Sequence, residues 1–138
     1  MANRLEDYQE QYEQLFKDCQ IVDAGKQQQV DKAIAGMQAH QARYAALADQ
    51  LGIPWYFVAV AHQREASGNF SRSVRDGHRL PAGLSWEDDA LAVMQEQCGG
   101  WHNWSLAGLF YRLEAYNGFG YRKDQINSPY PRSFATCY

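Results

Sequence analysis

The chain has 138 residues, enough for one domain whose core needs no disulfide staples. Its formal net charge is −3 and its arginines form no continuous stripe, which argues against a nucleic-acid binder; aromatic residues are plentiful at 14%. No apolar run approaches a membrane span, and Cys19, Cys98 and Cys137 are too widely spaced for a disulfide framework or a metal knuckle.

Leu5, Tyr8, Tyr12, Leu15, Phe16 and Cys19 recur at helical spacing with acids placed early, which predicts a first amphipathic helix. Asp23 is positioned to cap a second. Its apolar positions run Val30, Ala33, Ile34, Met37, Tyr44, Leu47, Ala48 and Leu51, so the pattern predicts one long helix ended by Gly52. Pro54 then suits the first turn of a third helix that is apolar nearly all round as far as Ala61 and so belongs in the interior.

The last turn of that helix changes character. His62, Arg64 and Glu65 arrive together, and Ser67-Gly68 supplies a stop. A carboxylate there meets the negative end of the helix dipole and partial desolvation. Both disfavour ionisation, and Arg64 opposes them. A carboxylic acid kept protonated near neutral pH is what a general acid needs. Taken alone, Glu65 is better read as a solvated side chain at a helix end. His62 and Glu65 also share a helix face at i, i+3, as metal ligands do, but the further ligands of a di-iron or zinc site are missing. Neither a metal nor another cofactor is expected.

Between Ser67 and Gly83 the helical period gives way to Ser-Gly, Asp-Gly and Pro-Ala-Gly turn signals, predicting an irregular or short hairpin insert. Ser85-Trp86-Glu87-Asp88 reads as a capping box opening a helix that turns Trp86, Ala90, Val93 and Met94 inward and ends at Gly99-Gly100. Another helix is predicted from about Trp104 to Ala115 on Leu106, Leu109, Phe110 and Leu113. After Asn117-Gly118 comes an aromatic, Gly/Pro-punctuated loop. About half of its rings are expected to pack on the helices and the others to line a cleft. The fold class is therefore mainly α, a single domain over 1–138 with an insert after the central helix. Charge follows the same division. Residues 1–23 set six acids against Arg4 and Lys17, whereas His62 to Gly83 sets Arg64, Arg72, Arg75 and Arg79 against Glu65 and Asp76. That basic segment suits an anionic ligand.

Ile53-Pro54-Trp55-Tyr56 followed by Arg64-Glu65-Ala66-Ser67-Gly68-Asn69-Phe70 resembles the core of a phage-type, lysozyme-like endolysin family. Leu113-Glu114-Ala115-Tyr116-Asn117-Gly118-Phe119-Gly120-Tyr121-Arg122, with Ile126-Asn127-Ser128-Pro129-Tyr130, resembles its second signature. More distantly, Glu65 with Asn69, and Ala115-Tyr116-Asn117, are similar to motifs of goose-type lysozymes and lytic transglycosylases. Ala66 stands where the distant motif has Ser, and Phe70 where it often has Pro. Asp76-Gly77-His78 stands where the nearer family has Asn-Gly-Asp, and the loop and tail are shorter.

The resemblance implies a lysozyme-like helical domain that cleaves the β-1,4 bond between N-acetylmuramic acid and N-acetylglucosamine. Glu65 would be the catalytic acid. Asn69, Tyr116, Asn117, Tyr121 and Tyr130 would contact or shape the substrate site. Asp76 is the best-placed second carboxylate; Glu114, Asp88 and Asp124 read as caps or solvated charges. Alternatives are a lytic transglycosylase giving 1,6-anhydro products, a chitin-cleaving relative, and an inactive wall-binding module, with Ala66 favouring hydrolysis. The expected partner is bacterial peptidoglycan or another glycan containing N-acetylglucosamine, met by a monomer. With no secretory leader pattern at the N-terminus, synthesis in the cytoplasm and action on the cell wall are expected.

Overall fold

The computed structural model describes residues 3–21 and 23–119. Among them lie six helices and no strand: α1 (Leu5–Asp18), α2 (Ala24–Ala39), α3 (Gln41–Leu51), α4 (Trp55–Ala66), α5 (Trp86–Cys98) and α6 (Leu106–Asn117). The fold is mainly α, and no helix among the described residues is long and apolar enough to cross a membrane. The chain divides into two compact units, Met1–Asp31 with Asn103–Tyr138, and Lys32–His102.

In the first unit, α1 packs along α6. Tyr12 is buried edge-on against Phe110, with ring centroids 6.1 Å apart, and Phe16 tilts against the same ring at 6.2 Å. The Tyr12 hydroxyl donates to Glu114 Oε1 over 2.7 Å. Glu114 is only 2% exposed, which corrects its reading as a cap or solvated charge. It sits on the buried face of α6, one residue after Leu113. Helix α6 begins two residues later than its apolar pattern suggests, because Asn103-Trp104-Ser105 forms its own turn. Asn103 Oδ1 accepts from the Ser105 hydroxyl at 2.6 Å, and Ser105 Oγ then caps Gly108 N–H at 3.2 Å.

In the second unit, α3 packs against both α4 and α5. The long second helix expected from periodicity is two helices, broken at His40 (φ −111°, ψ 17°). Neither glycine nor proline marks the break. From Gln38 to Arg43 no side chain is fully buried, so little packing holds that turn helical, and the His40 ring lies 4.9 Å from Phe70. Gly52 ends α3 in the left-handed region at φ 67°. Helix α4 buries every residue from Phe57 to His62. Pro54 stands one position outside it as the N-cap. Ser67 closes it at φ 53°, with Ser67 N–H and Gly68 N–H returning to Gln63 and His62 carbonyls. Helix α5 starts as expected: Ser85 Oγ accepts from Asp88 N–H, and Trp86, Ala90, Val93, Met94 and Cys98 are buried.

Candidate active site

The last turn of α4 and the insert behind it bring the predicted acid residues together. His62, fully buried, fixes the start of the insert. Its Nε2 lies 2.9 Å from the Asn69 carbonyl, which can only accept, so Nε2 carries the proton. Nδ1 is then the acceptor for the Tyr44 hydroxyl at 2.8 Å. Burial lowers the His62 pKa and pushes that of Tyr44 up to about 12, so both stay neutral at pH 7. The His62 ring packs among Tyr44, Phe70 and Trp86. This residue is a tether rather than a metal ligand. Among the described residues no group of three or more His, Cys, Asp and Glu is placed to hold a metal ion.

The insert doubles back as a minimal hairpin. Ser73 N–H donates to the His78 carbonyl at 2.8 Å and Leu80 N–H to the Ser71 carbonyl at 2.9 Å, framing one antiparallel bridge between Arg72 and Arg79. The hairpin is anchored on α5. Val74 is wholly buried, Ser73 Oγ donates to Asp89 Oδ2 at 2.7 Å, and Arg75 pairs with Glu96 at 2.7 Å. Its turn, Asp76-Gly77-His78, rests on the end of α4. A Cβ on Gly77 would lie 2.2 Å from the Glu65 carbonyl oxygen, and Gly77 has φ +77°, so only glycine fits.

That seat puts Asp76 beside Glu65, and the two carboxyls are driven apart. Burial raises the Glu65 pKa, the Asp76 charge raises it further, and Arg64 pulls it back. Asp76 moves the other way. His78 donates from its side chain, Nδ1 to Oδ2 at 2.9 Å, and from its backbone N–H to Oδ1 at 3.0 Å, holding Asp76 below its usual value. One carboxyl is thus shifted towards the acid form relative to an ordinary Glu and its neighbour towards the anion, an arrangement that can divide proton donation from charge stabilisation.

The other predicted residues are placed as follows. Asn69 lies on the same insert, but its Oδ1 accepts from Ser71 N–H at 2.9 Å and the Ser71 hydroxyl at 2.6 Å, which leaves only the amide end for a ligand. Tyr116, half-buried, and Asn117, exposed, end α6 in the first unit. Asp88 is exposed in the first turn of α5. Tyr121, Asp124 and Tyr130 lie outside the described residues. Sequence reasoning missed the tether through His62, the anchor through Ser73 and Val74, and the seat of Gly77. Only the Asp-Gly turn signal hinted at the last.

Comparison with known proteins finds no counterpart: no family model, curated protein or solved structure matches the chain.

Proposed function

We propose that this protein is a peptidoglycan-cleaving glycoside hydrolase of the lysozyme type, acting on the bond between N-acetylmuramic acid and N-acetylglucosamine with Glu65 as general acid. The observation that carries the reading is the Asp76-Gly77-His78 turn seated on the Glu65 carbonyl, which sets a carboxyl of raised pKa beside one of lowered pKa. In this reading protonated Glu65 delivers its proton to the glycosidic oxygen as its bond to the anomeric carbon breaks, and a water then adds at that carbon and returns a proton to Glu65. Ionised Asp76 faces the positive charge that develops on the sugar ring. The family resemblance of the Arg64–Phe70 and Leu113–Arg122 stretches supports the same substrate, and Tyr116, Asn117, Tyr121 and Tyr130 are proposed to contact the glycan. The working site is the bacterial wall, reached after synthesis in the cytoplasm.

Glu65→Gln keeps shape and hydrogen bonding but cannot donate a proton to a leaving oxygen. General-acid contributions of ~10²–10⁴-fold predict near-complete loss of wall lysis. Asp76→Asn should retain more. The measurement is turbidity clearing of purified walls beside thermal melting of each variant. A folded Glu65→Gln protein that keeps more than about a tenth of wild-type activity contradicts the assignment. Wall binding without clearing by the wild type would mark an inactive binding module, and products lighter by one water in mass spectra would mark a transglycosylase.

A further inference from the structure

The hairpin places two arginines where, among the described residues, neither is ion-paired with a carboxylate. Arg72 and Arg79 face each other across the single bridge, and the flanking hydrogen bonds Ser73 N–H to His78 O and Leu80 N–H to Ser71 O make them a non-hydrogen-bonded pair. In such pairs the side chains leave the same face at the closer of the two antiparallel spacings, about 4.5 Å between Cα atoms. Like charges directly opposite destabilise a hairpin. Both arginines are exposed, and among the described residues neither makes an ion pair, whereas Arg75 between them is paired with Glu96. Ser73, next along the strand, points the other way and is buried against Asp89. The basic face is therefore the outer one.

Arg72 is also located relative to the acid. Its Nη1 donates to the Gly77 carbonyl at 3.0 Å, and Gly77 is the residue seated on the Glu65 carbonyl. The guanidinium is thus fixed on the turn that rests on the Glu65 backbone, with four of its five N–H donors left over.

We propose that Arg72 and Arg79 form a subsite for the free carboxylates of the peptide stems carried by peptidoglycan, so that the enzyme prefers stem-bearing glycan to bare glycan. The inference rests on the wall-cleaving reading above. Two guanidinium forks on one face match two carboxylate oxygen pairs, and a multiply anionic stem relieves the repulsion that the unliganded pair carries.

The test compares wild type, Arg72→Gln/Arg79→Gln and the charge-matched control Lys26→Gln/Lys32→Gln on three substrates: peptidoglycan free of teichoic acid, the same material with stems removed by an amidase, and walls that keep teichoic acid. The double arginine variant should raise KM on stem-bearing peptidoglycan about ten- to a hundredfold with kcat unchanged, the range expected for losing charge-assisted bidentate contacts. The effect should vanish once stems are removed, and the lysine control should match wild type. Unchanged KM overturns the proposal. So does an equal effect on stripped glycan, or an effect confined to walls with teichoic acid. A second measurement does not need activity. Titration of wild-type protein with a soluble acidic stem tetrapeptide, followed on arginine Nε–H resonances, should shift Arg72 and Arg79, while glycerol phosphate should not. Wall cleavage absent with these shifts present would sink the enzymatic reading alone. Cleavage present with the shifts absent would sink the subsite alone.

Discussion

Glu65 and Asp76 show how two identical functional groups acquire opposite tendencies from their surroundings, and the difference can be read in stability as well as rate. The Glu65 pKa is raised above its ordinary 4.5 by burial and by Asp76. Such a group stabilises the fold fully below its unfolded pKa, and that contribution is lost as pH rises through the folded value. At pH 7, well above the ordinary value, the Glu65 carboxyl is therefore a burden on the fold. Glu65→Gln should raise the melting temperature at pH 7 relative to wild type and lose that advantage near pH 4. The effect corresponds to less than about 1 kcal/mol, because the carboxyl is partly exposed and solvent screens it. An advantage that persists unchanged at pH 4 would mean that packing, not charge, is responsible. Asp76 has the opposite sign. Its pKa lies below the ordinary 3.8, so its contribution is present above that value and fades only as pH falls through the folded pKa. Asp76→Asn should lower stability at pH 6 and do little at the acid extreme.

At the scale of elements, the seat of the hairpin turn on α4 joins fold to chemistry, and Gly77 is the residue that makes it. Gly77→Ala must place a methyl group 2.2 Å from a backbone oxygen that no rotamer can move aside. Gly83 has a similar φ of +85° but open space around its Cβ position. Gly83→Ala should thus cost only the left-handed backbone term, about 1–2 kcal/mol. Gly77→Ala should cost clearly more in urea unfolding and should depress wall lysis even where it folds, because the turn must lift away from Glu65. Equal losses in the two variants would show that the close approach is unimportant. The same contrast explains what the sequence makes legible. The helices α1, α5 and α6 are readable from apolar residues at helical spacing, α4 from an unbroken apolar run behind Pro54, and the Ser67-Gly68 stop and Ser85 cap are local chemistry. Glu65 and Asp76 are readable as residue types, but their juxtaposition is a tertiary contact eleven positions apart. The break at His40 leaves no local mark, since what His40 meets is Phe70, thirty residues away. Glu114 looked solvated because nothing in its neighbourhood announces Tyr12, which is 102 positions away.

For the molecule as a whole, each compact unit is pinned by one buried tyrosine hydroxyl, Tyr12 on Glu114 and Tyr44 on His62. Tyr44→Phe leaves the His62 Nδ1 acceptor unanswered in a dry setting and should destabilise the protein by about 1–3 kcal/mol, measured by urea titration. The same histidine sets an acid limit. Its pKa is held below 6.5 by burial, so the unfolded chain binds a proton first. Stability should be full above about pH 6.5 and fall as pH drops towards the folded pKa, before Asp76 begins to titrate. A His62→Gln variant, although weaker overall, should show a flatter slope between pH 6.5 and 5; an unchanged slope would assign the acid sensitivity elsewhere.

Cys98, sealed into the core at the end of α5 with 4% of its surface accessible, turns out to be a clock. A thiol reagent reaches that sulfur only while α5 has lifted from its neighbours. With Cys19 and Cys137 replaced by serine, the rate of colour development from a chromogenic disulfide would count such openings directly. Under fast reclosing, that rate divided by the rate for a free thiol gives the fraction of time the helix spends undocked. A wall or glycan fragment that slowed the colour would reveal its binding to the folded state without any bond being cleaved.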